Sequence, residues 1–114
     1  MNNTITFEDF TKVDLRVGTI LEVNDFPEAK NPAYQLTIDF GELGIKKSSA
    51  QITTIYKKKD LIDRQIVAVV NFPKKQIAKF MSECLILGAV NGQDVILLNP
   101  ENKVKNGTTV SQTT

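Results

Sequence analysis

A basic segment over residues 71–83 holds the side chains with the clearest capacity to bind a ligand. It lies between two apolar runs, residues 66–70 and 84–87, whose β-branched composition is typical of buried strands. Lysines alternate with apolar residues across the segment, and Glu83 is the one carboxylate that accompanies them. Because ammonium groups attract phosphate and no acid–base catalyst or metal-ligand set stands beside them, the segment indicates binding rather than chemistry.

The residues that usually perform acid–base or metal chemistry are scarce in this chain. Histidine is absent, which excludes Ser-His and Cys-His nucleophile pairs and most zinc sites. The single cysteine, Cys84, lies within an apolar run and is expected to be an inert core thiol. Ser48 and Ser49 follow Lys46 and Lys47, so a Ser–Lys nucleophile stays formally open, although no oxyanion partner is evident. We therefore expect no enzymatic activity, no cofactor and no metal ion.

Length and charge fit a small binding protein. The 114 residues predict a single domain over 1–114, and 41% hydrophobic with 24% charged residues is ordinary for a globular chain. Residues 1–45 hold eight acids against three bases, whereas residues 46–114 hold eleven bases against five acids. Such a distribution favours a cationic patch on a molecule whose net charge is only +1. Lysines that merely solvate the surface are the alternative interpretation.

Cysteine usage and hydropathy favour a cytoplasmic location. One cysteine cannot form an internal disulfide, no signal peptide is visible, and the longest apolar run is far shorter than a membrane span. We expect a cytoplasmic protein that does not insert into a membrane.

The first part of the chain predicts a short helix followed by a long strand. Thr6 followed by Asp9 has the form of an N-terminal cap, so we expect a helix over about residues 7–11. Alternation from Val13 to Val23 then predicts a half-buried strand in which Gly18 marks a bend or bulge. One face of this strand would carry Val13, Leu15, Val17, Leu21 and Val23, and the other Asp14, Arg16, Gly18, Ile20 and Glu22.

The remainder of the chain predicts more strands and a second helical insert. Strands are expected over residues 34–40, 45–50, 66–70, 84–87 and 94–98. The turn dipeptide Asn91-Gly92 precedes the last of them. A short helix over residues 51–56 would precede the lysine run of residues 57–59, where cations suit the C-terminal end of a helix dipole. Short strands in so small a chain favour a compact antiparallel barrel, and a β-sandwich stays open on pattern alone.

Several groups of residues are similar to a known family. The sequence Asp14-Leu15-Arg16-Val17-Gly18, followed later by Asn71-x-Pro73 and Ile77-x4-Ser82-Glu83, resembles the tRNA-binding OB domain. That domain is appended to some aminoacyl-tRNA synthetases and also occurs as free-standing small proteins. The chain resembles the CsaA-type secretion chaperones more fully, over about residues 7–110. That likeness rests on Ile38-Asp39-Phe40-Gly41, Gly44-Ile45-Lys46, Ser48-Ser49-Ala50-Gln51-Ile52-Thr53, Tyr56 and Val69-Val70-Asn71-Phe72-Pro73.

The resemblance implies a fold, an oligomeric state and partners. The expected fold is all-β with short helices, a five-stranded Greek-key OB-fold barrel. Affinity for tRNA is the family's shared property, so tRNA or another structured RNA is an expected partner. The resemblance also implies a cytoplasmic homodimer. For the CsaA-like branch it further implies binding of unfolded precursor proteins and of the translocation ATPase. We predict a non-enzymatic CsaA-like export chaperone; a tRNA-binding module that presents structured RNA to a partner protein is the alternative.

The candidate contacts lie mainly in the basic segment. Its three lysines are the best phosphate ligands, and three or four phosphate contacts would give modest affinity. The predicted RNA-binding residues are Arg16, Asn71, Lys74, Lys75, Lys79, Ser82 and Glu83. Apolar side chains beside the lysines would suit stacking on bases or capture of an unfolded peptide. The predicted peptide-binding residues are Phe72, Phe80 and Met81.

Three of these residues also have a structural interpretation. Arg16 could form an ion pair with Asp14 instead of contacting a phosphate or a base. Asn71 could hydrogen-bond the backbone of its own loop instead of a base edge. Glu83 repels phosphate, so it would accept hydrogen bonds from base amino groups or fix the loop by holding Lys75 or Lys79.

The basic segment departs from the family pattern at four positions. The family usually has proline where Lys74 stands, a basic residue at Gln76, glycine at Lys79 and often a basic residue at Met81, whereas Lys75 matches. The number of cations is roughly kept, while their positions have moved.

Overall fold

The computed structural model describes residues 3–113 and shows a largely β architecture. Two short helices, α1 (Phe7–Thr11) and α2 (Lys58–Leu61), and a 3-10 turn at Gly41–Leu43 accompany the strands. In chain order the strands are β1 (Leu15–Asp25), β2 (Tyr34–Asp39), β3 (Ile45–Ala50), β4 (Gln65–Val69), β5 (Lys75–Ile77), β6 (Phe80–Ser82), β7 (Leu85–Ile86), β8 (Gly88–Asn91), β9 (Asp94–Leu97) and β10 (Thr109–Val110).

The main sheet curls into a nearly closed barrel. Its order is β3-β2-β1-β4-β7 with antiparallel neighbours, and β10 adds to β1; β5–β6 and β8–β9 are separate hairpins. At the closure the Glu83 N–H donates to the Lys47 carbonyl at 2.7 Å. Beside it the Ser48 hydroxyl donates to the Cys84 carbonyl at 2.9 Å. The predicted five-stranded OB-fold barrel is therefore confirmed, and the alternative of a β-sandwich is excluded.

The interior of the barrel is filled by branched aliphatic side chains around one aromatic ring. Ile20, Leu36, Ile38, Phe40 and Ile66 are buried almost completely and belong to one apolar cluster. They lie on β1, β2 and β4 or, for Phe40, directly after β2. The side chains of β1, β2 and β4 thus form most of the core on which the surface segments rest.

Strand β1 differs from the prediction in which residues face the core. The pairing of β1 with β2 shifts between Ile20 and Glu22, so Leu21 is the extra residue of a β-bulge. The bulge places Ile20 in the core and leaves Leu21 42% exposed, the reverse of the faces that strict alternation predicts. Gly18 lies before the bulge instead of forming it. A Cβ on Gly18 would come within 2.7 Å of Ile38 Cγ2, so close packing reserves the position for glycine.

The predicted helix over residues 51–56 is wrong, because the second helix begins later. Residues 51–56 form no helix and contain a turn, and Ile52 and Tyr56 are buried in the core. Their four-residue spacing imitates a helix face. Helix α2 follows Lys57, whose N–H donates to Asp60 Oδ2 at 3.2 Å. The lysine run therefore opens a helix, and its expected match with a helix C-terminus is also wrong.

Two local predictions are confirmed. Helix α1 begins after Thr6, whose hydroxyl accepts from the Asp9 N–H at 3.1 Å while the Thr6 N–H donates to the Asp9 carboxylate at 3.3 Å. The β8–β9 turn follows Asn91 and uses Gly92, whose φ of 64° favours glycine. Within residues 3–113 the helices are too short to cross a membrane.

Candidate nucleic-acid interface

The basic segment folds into the β5–β6 hairpin, outside the main sheet. Its register pairs Lys75 with Ser82 and Gln76 with Met81. Residues that oppose each other directly share one face of an antiparallel pair, so Lys75 and Ser82 lie on one face and Met81 on the other. Phe80 shares the face of Lys75, because successive side chains alternate. The hairpin therefore directs two of the predicted peptide-binding residues, Phe80 and Met81, to opposite faces.

An aromatic contact fastens the hairpin to the barrel. The ring of Phe80 packs on that of Phe26 with 5.3 Å between the centroids and 57° between the planes, a favourable tilted arrangement. Phe26 directly follows β1 and is 4% exposed, so the contact holds Phe80 against the barrel. The hairpin turn is stabilised by Gln76 Nε2, which donates to the Ala78 carbonyl at 3.1 Å.

Glu83 joins the end of the hairpin to β3. The Lys47 N–H donates to Glu83 Oε1 at 2.9 Å, and Lys74 Nζ lies 3.5 Å from Oε2. Glu83 thus holds Lys74. The predicted partners, Lys75 or Lys79, are wrong, because the hairpin directs neither of them to this carboxylate. Because the carboxylate is engaged from two sides, it anchors the hairpin and neutralises one of the candidate phosphate ligands.

Lys75 and Lys79 are the unpaired cations of the hairpin. Both are exposed, and within residues 3–113 neither forms an ion pair with an acid. An unpaired ammonium group keeps its full attraction for phosphate, so these two lysines are the strongest candidates for an RNA contact.

Strand β3 brings two further lysines to this region. Lys46 and Lys47 lie on the strand that Glu83 binds, and Lys47 is exposed. Sequence reasoning considered them only as partners of a serine nucleophile. No local pattern could have placed them beside the hairpin, because Lys47 and Glu83 are 36 positions apart. Closure of the barrel is what brings Lys47 into contact with Glu83.

A cleft of about 740 Å³ opens between the hairpin and the end of β3. Lys75, Ile77 and Ser82 line it from the hairpin, opposite residues 49–54 and 84–88. Ser82 Oγ accepts a hydrogen bond from the Ser49 N–H at 3.4 Å, and both residues line the cleft. The cleft has the volume of a small-ligand site. Sequence reasoning missed it, since its walls come from several stretches spread between residues 31 and 97.

Asn71 fixes the connection between α1 and β1. Its Oδ1 accepts from the Asp14 N–H at 2.9 Å, and its Nδ2 donates to the Lys12 carbonyl at 2.7 Å. Asn71 thus binds backbone, but that of a distant connection and not of its own loop. Both amide groups are engaged, and its predicted contact with a base stays a prediction.

Arg16 lies at a different place from the hairpin. Its Nε donates to Asp14 Oδ1 at 2.6 Å and its Nη1 to the Gly107 carbonyl at 3.0 Å, which confirms the ion-pair interpretation. The side chain is 27% exposed and lines a recess of about 180 Å³ together with Phe40 and Lys105. No residue of the β5–β6 hairpin lines that recess, so Arg16 lies apart from the lysines of the hairpin. Asn71, at the start of the basic segment, comes near Arg16 through its hydrogen bond with the Asp14 N–H.

The three predicted peptide-binding residues do not form one patch. Phe72 is 54% exposed and Met81 is 41% exposed, whereas Phe80 is partly buried against Phe26. None of the three lines the cleft. The apolar surface that could hold a peptide is therefore the cleft wall, and the predicted roles of Phe72, Phe80 and Met81 stay predictions.

The likeness to known proteins extends over most of the chain. The family model described as a putative tRNA binding domain matches residues 15–109. The chain belongs to the tRNA-binding domain family. Among curated proteins, this tRNA-binding domain is 37% identical over 106 residues to methionine–tRNA ligase of Pyrococcus abyssi. The match covers 93% of the chain and only 14% of the ligase.

Two solved structures resemble this tRNA-binding domain along their full length. The chaperone CsaA from Bacillus anthracis is 55% identical with a TM-score of 0.92, and the match covers 96% of this chain and 100% of that one. The CsaA chaperone protein from Picrophilus torridus is 54% identical with a TM-score of 0.89, covering 95% and 100%. The predicted resemblance to the CsaA-type branch is confirmed.

For this tRNA-binding domain we expect Glu83→Gln to raise affinity for tRNA. The amide would still accept from the Lys47 N–H, while Lys74 would lose its counter-charge and one repulsive carboxylate would disappear. Losing one exposed ion pair corresponds to roughly a two- to fivefold change. Anisotropy of fluorescently labelled tRNA at low salt measures it, with Glu101→Gln as the control at an exposed acid elsewhere. Weaker binding by Glu83→Gln would instead indicate that the carboxylate accepts from a base.

Proposed function

We propose that this protein is a non-enzymatic, CsaA-like export chaperone that binds tRNA and segments of unfolded precursor proteins at adjoining surfaces. One observation carries the proposal: the hairpin that bears the unpaired Lys75 and Lys79 also forms a wall of the 740 Å³ cleft. The cations suit phosphate groups, and the aliphatic side chains in the mixed lining of the cleft suit apolar side chains of an unfolded chain.

Two of the three candidate nucleophiles near the closure, Ser48 and Cys84, are buried, which supports binding without chemistry. Ser48 is 1% exposed, and its hydroxyl donates to the Cys84 carbonyl, so a substrate cannot reach it. Burial raises the pKa of the Cys84 thiol to about 11, which keeps the thiol protonated at neutral pH. Protonated, enclosed groups of this kind are poor nucleophiles.

An RNA-presenting module is the second candidate function. It is favoured by the likeness to a small part of methionine–tRNA ligase, in which a domain of this size accompanies a much larger protein. The two candidates share the tRNA contact on the basic hairpin. They differ in whether the cleft binds polypeptide, which an experiment can measure directly.

We further propose that the protein acts in the cytoplasm as a homodimer and delivers precursors to the translocation ATPase, as its likeness to the CsaA chaperones suggests. Exposed apolar residues on one face of β9 and its extension support the dimer: Ile96 is 45% exposed and Leu98 44%. Such side chains on a small protein suit a self-complementary contact. Two hairpins and two clefts in one dimer would add avidity for a long ligand.

Reversing the charge of Lys75 and Lys79 together should abolish most of the tRNA affinity. Three to four phosphate contacts predict a slope of log K against log salt of roughly −2 to −3, and losing two contacts should flatten it by roughly 1.4. Filter binding of labelled tRNA across a salt series measures both quantities. The control is Lys12→Glu with Lys103→Glu, which changes net charge equally at exposed positions elsewhere. Equal loss in both double variants would contradict the placement of the RNA site.

Salt should separate the two ligands. From about 50 to about 300 mM salt, tRNA affinity should fall roughly 40- to 150-fold, because released counterions drive that binding. Binding of a urea-unfolded, signal-bearing precursor should change by less than about threefold and show a negative heat-capacity change, as expected for apolar burial. Isothermal titration calorimetry at both salt concentrations measures each ligand. A precursor that fails to bind at either concentration would leave the RNA-presenting module as the function.

The homodimer predicts a sedimentation-equilibrium mass of twice 12.7 kDa. Leu98→Glu with Ile96→Glu should shift the protein to the monomer mass, because two charges would have to be buried in the interface. Ile62→Glu, at a residue that is 46% exposed outside β9, is the control. A monomeric natural protein would refute the dimer, and a dimer insensitive to both changes would refute this interface.

A further inference from the structure

The barrel has an open seam beside its closure point, between residues 49–52 and residues 85–88. Successive antiparallel pairings make β3 and β7 run in the same direction. They are joined where the Ser48 hydroxyl binds the Cys84 carbonyl, and past that point both line the 740 Å³ cleft. Within residues 3–113 no strand pairing links β3 to β7. The two strands therefore face each other across the seam without a backbone ladder.

On the β3 side, the seam presents backbone groups that the described chain does not bind. Phe40 N–H donates to the Gly44 carbonyl, so even-numbered residues of β2 and β3 form the hydrogen-bonded pairs. Odd-numbered residues of β3 consequently direct N–H and C=O outward, and Lys47 uses both groups on Glu83. Gln51 directly follows this edge and lines the cleft. Its N–H and C=O have no hydrogen-bond partner within residues 3–113.

On the β7 side, Ile86 presents the matching groups. The Leu87 N–H donates to the Val67 carbonyl at 2.9 Å, which turns odd-numbered residues of β7 toward β4. Ile86 therefore directs its N–H and C=O away from β4, and it lines the same cleft as Gln51. The seam thus offers donors and acceptors from two facing backbone edges.

The side chains around the seam decide which ligand fits. Ile52, Ile77, Val95 and Leu97 give the cleft apolar walls, and Lys75 is the one charged residue among the described residues that line it. No aromatic residue of the described chain lines it. A nucleic acid would require several cations or stacking platforms, which this lining lacks. An extended polypeptide supplies alternating apolar side chains and the backbone groups that two strand edges lack.

We propose that an extended, uncharged segment of polypeptide binds in the seam as an added β-strand, hydrogen-bonded to Gln51 and Ile86, and completes the barrel. The inference rests on the proposed binding of unfolded precursors and names its site and mode. Hydrogen bonds between backbones do not depend on side-chain identity. The seam therefore accepts any uncharged segment that can become extended and in which apolar and polar residues alternate. Lys75 at the rim would favour segments without basic residues.

Amide hydrogen exchange of the natural protein tests the backbone contact directly. The probe is a fluorescein-labelled ten-residue peptide of alternating leucine and serine. At saturation we expect exchange of the Gln51 and Ile86 amides, followed by NMR, to slow by at least about tenfold, as for newly formed hydrogen bonds. The Leu87 amide, already bonded to Val67, is the internal control. Unchanged exchange at both Gln51 and Ile86 with peptide bound would overturn the proposal, and so would protection by tRNA in place of peptide.

Two variants at one position isolate the backbone donor. Gln51→Pro removes the outward N–H without touching an existing hydrogen bond, and Gln51→Ala keeps the N–H while shortening the side chain. We expect Gln51→Ala to bind the peptide like the natural protein and Gln51→Pro to bind about three- to tenfold more weakly, as for one lost hydrogen bond. Unaltered tRNA affinity shows that Gln51→Pro is folded; if it is not, the exchange experiment decides alone.

The outcomes separate this inference from the proposed function. If the unfolded precursor binds the natural protein but Gln51→Pro binds the peptide as tightly as Gln51→Ala, added-strand binding is wrong and the chaperone function stands. If neither peptide nor precursor binds the natural protein, both are wrong.

Discussion

Closure of the barrel rests on a few contacts between β3 and the chain that enters β7. Glu83 and Lys47 exchange hydrogen bonds through the Glu83 N–H and carboxylate, and the Ser48 hydroxyl binds the Cys84 carbonyl. A side chain replaces the regular ladder here, so the strands meet at one point and separate after it. The two candidate binding surfaces adjoin that point: the hairpin precedes it, the cleft follows it, and β3 carries Lys46 and Lys47 beside it.

The same closure decides which cations are free. Glu83 is the carboxylate of the basic segment, and its engagement with β3 leaves it positioned to neutralise Lys74 alone. Lys75 and Lys79 stay unpaired in the described chain as a result. A single acid thus links the integrity of the fold to the electrostatics of the candidate RNA contact, because its removal would change both.

Sequence reasoning recovered the features that local pattern controls. Alternation and β-branched runs located most strands, the Thr6 cap located α1, and lysine spacing located the hairpin segment. It failed where distant contacts decide. The bulge that turns Ile20 inward depends on pairing with β2, and the turn that replaces the helix near Tyr56 depends on burial in the core. The placement of Lys47 and the existence of the cleft follow from barrel closure, which no short window of sequence encodes.

The β5–β6 hairpin contributes no residue to the apolar cluster inside the barrel, and its firm attachments are the Phe26–Phe80 contact and Glu83. Substitutions at the other positions of the hairpin therefore leave the core of the barrel intact. Lys74, Gln76, Lys79 and Met81, at which the resemblance predicts departures from the family pattern, all lie outside that cluster. The side chains that would contact a ligand and the side chains that fill the barrel are therefore separate sets, so ligand preference can be altered by substitution without loss of the core.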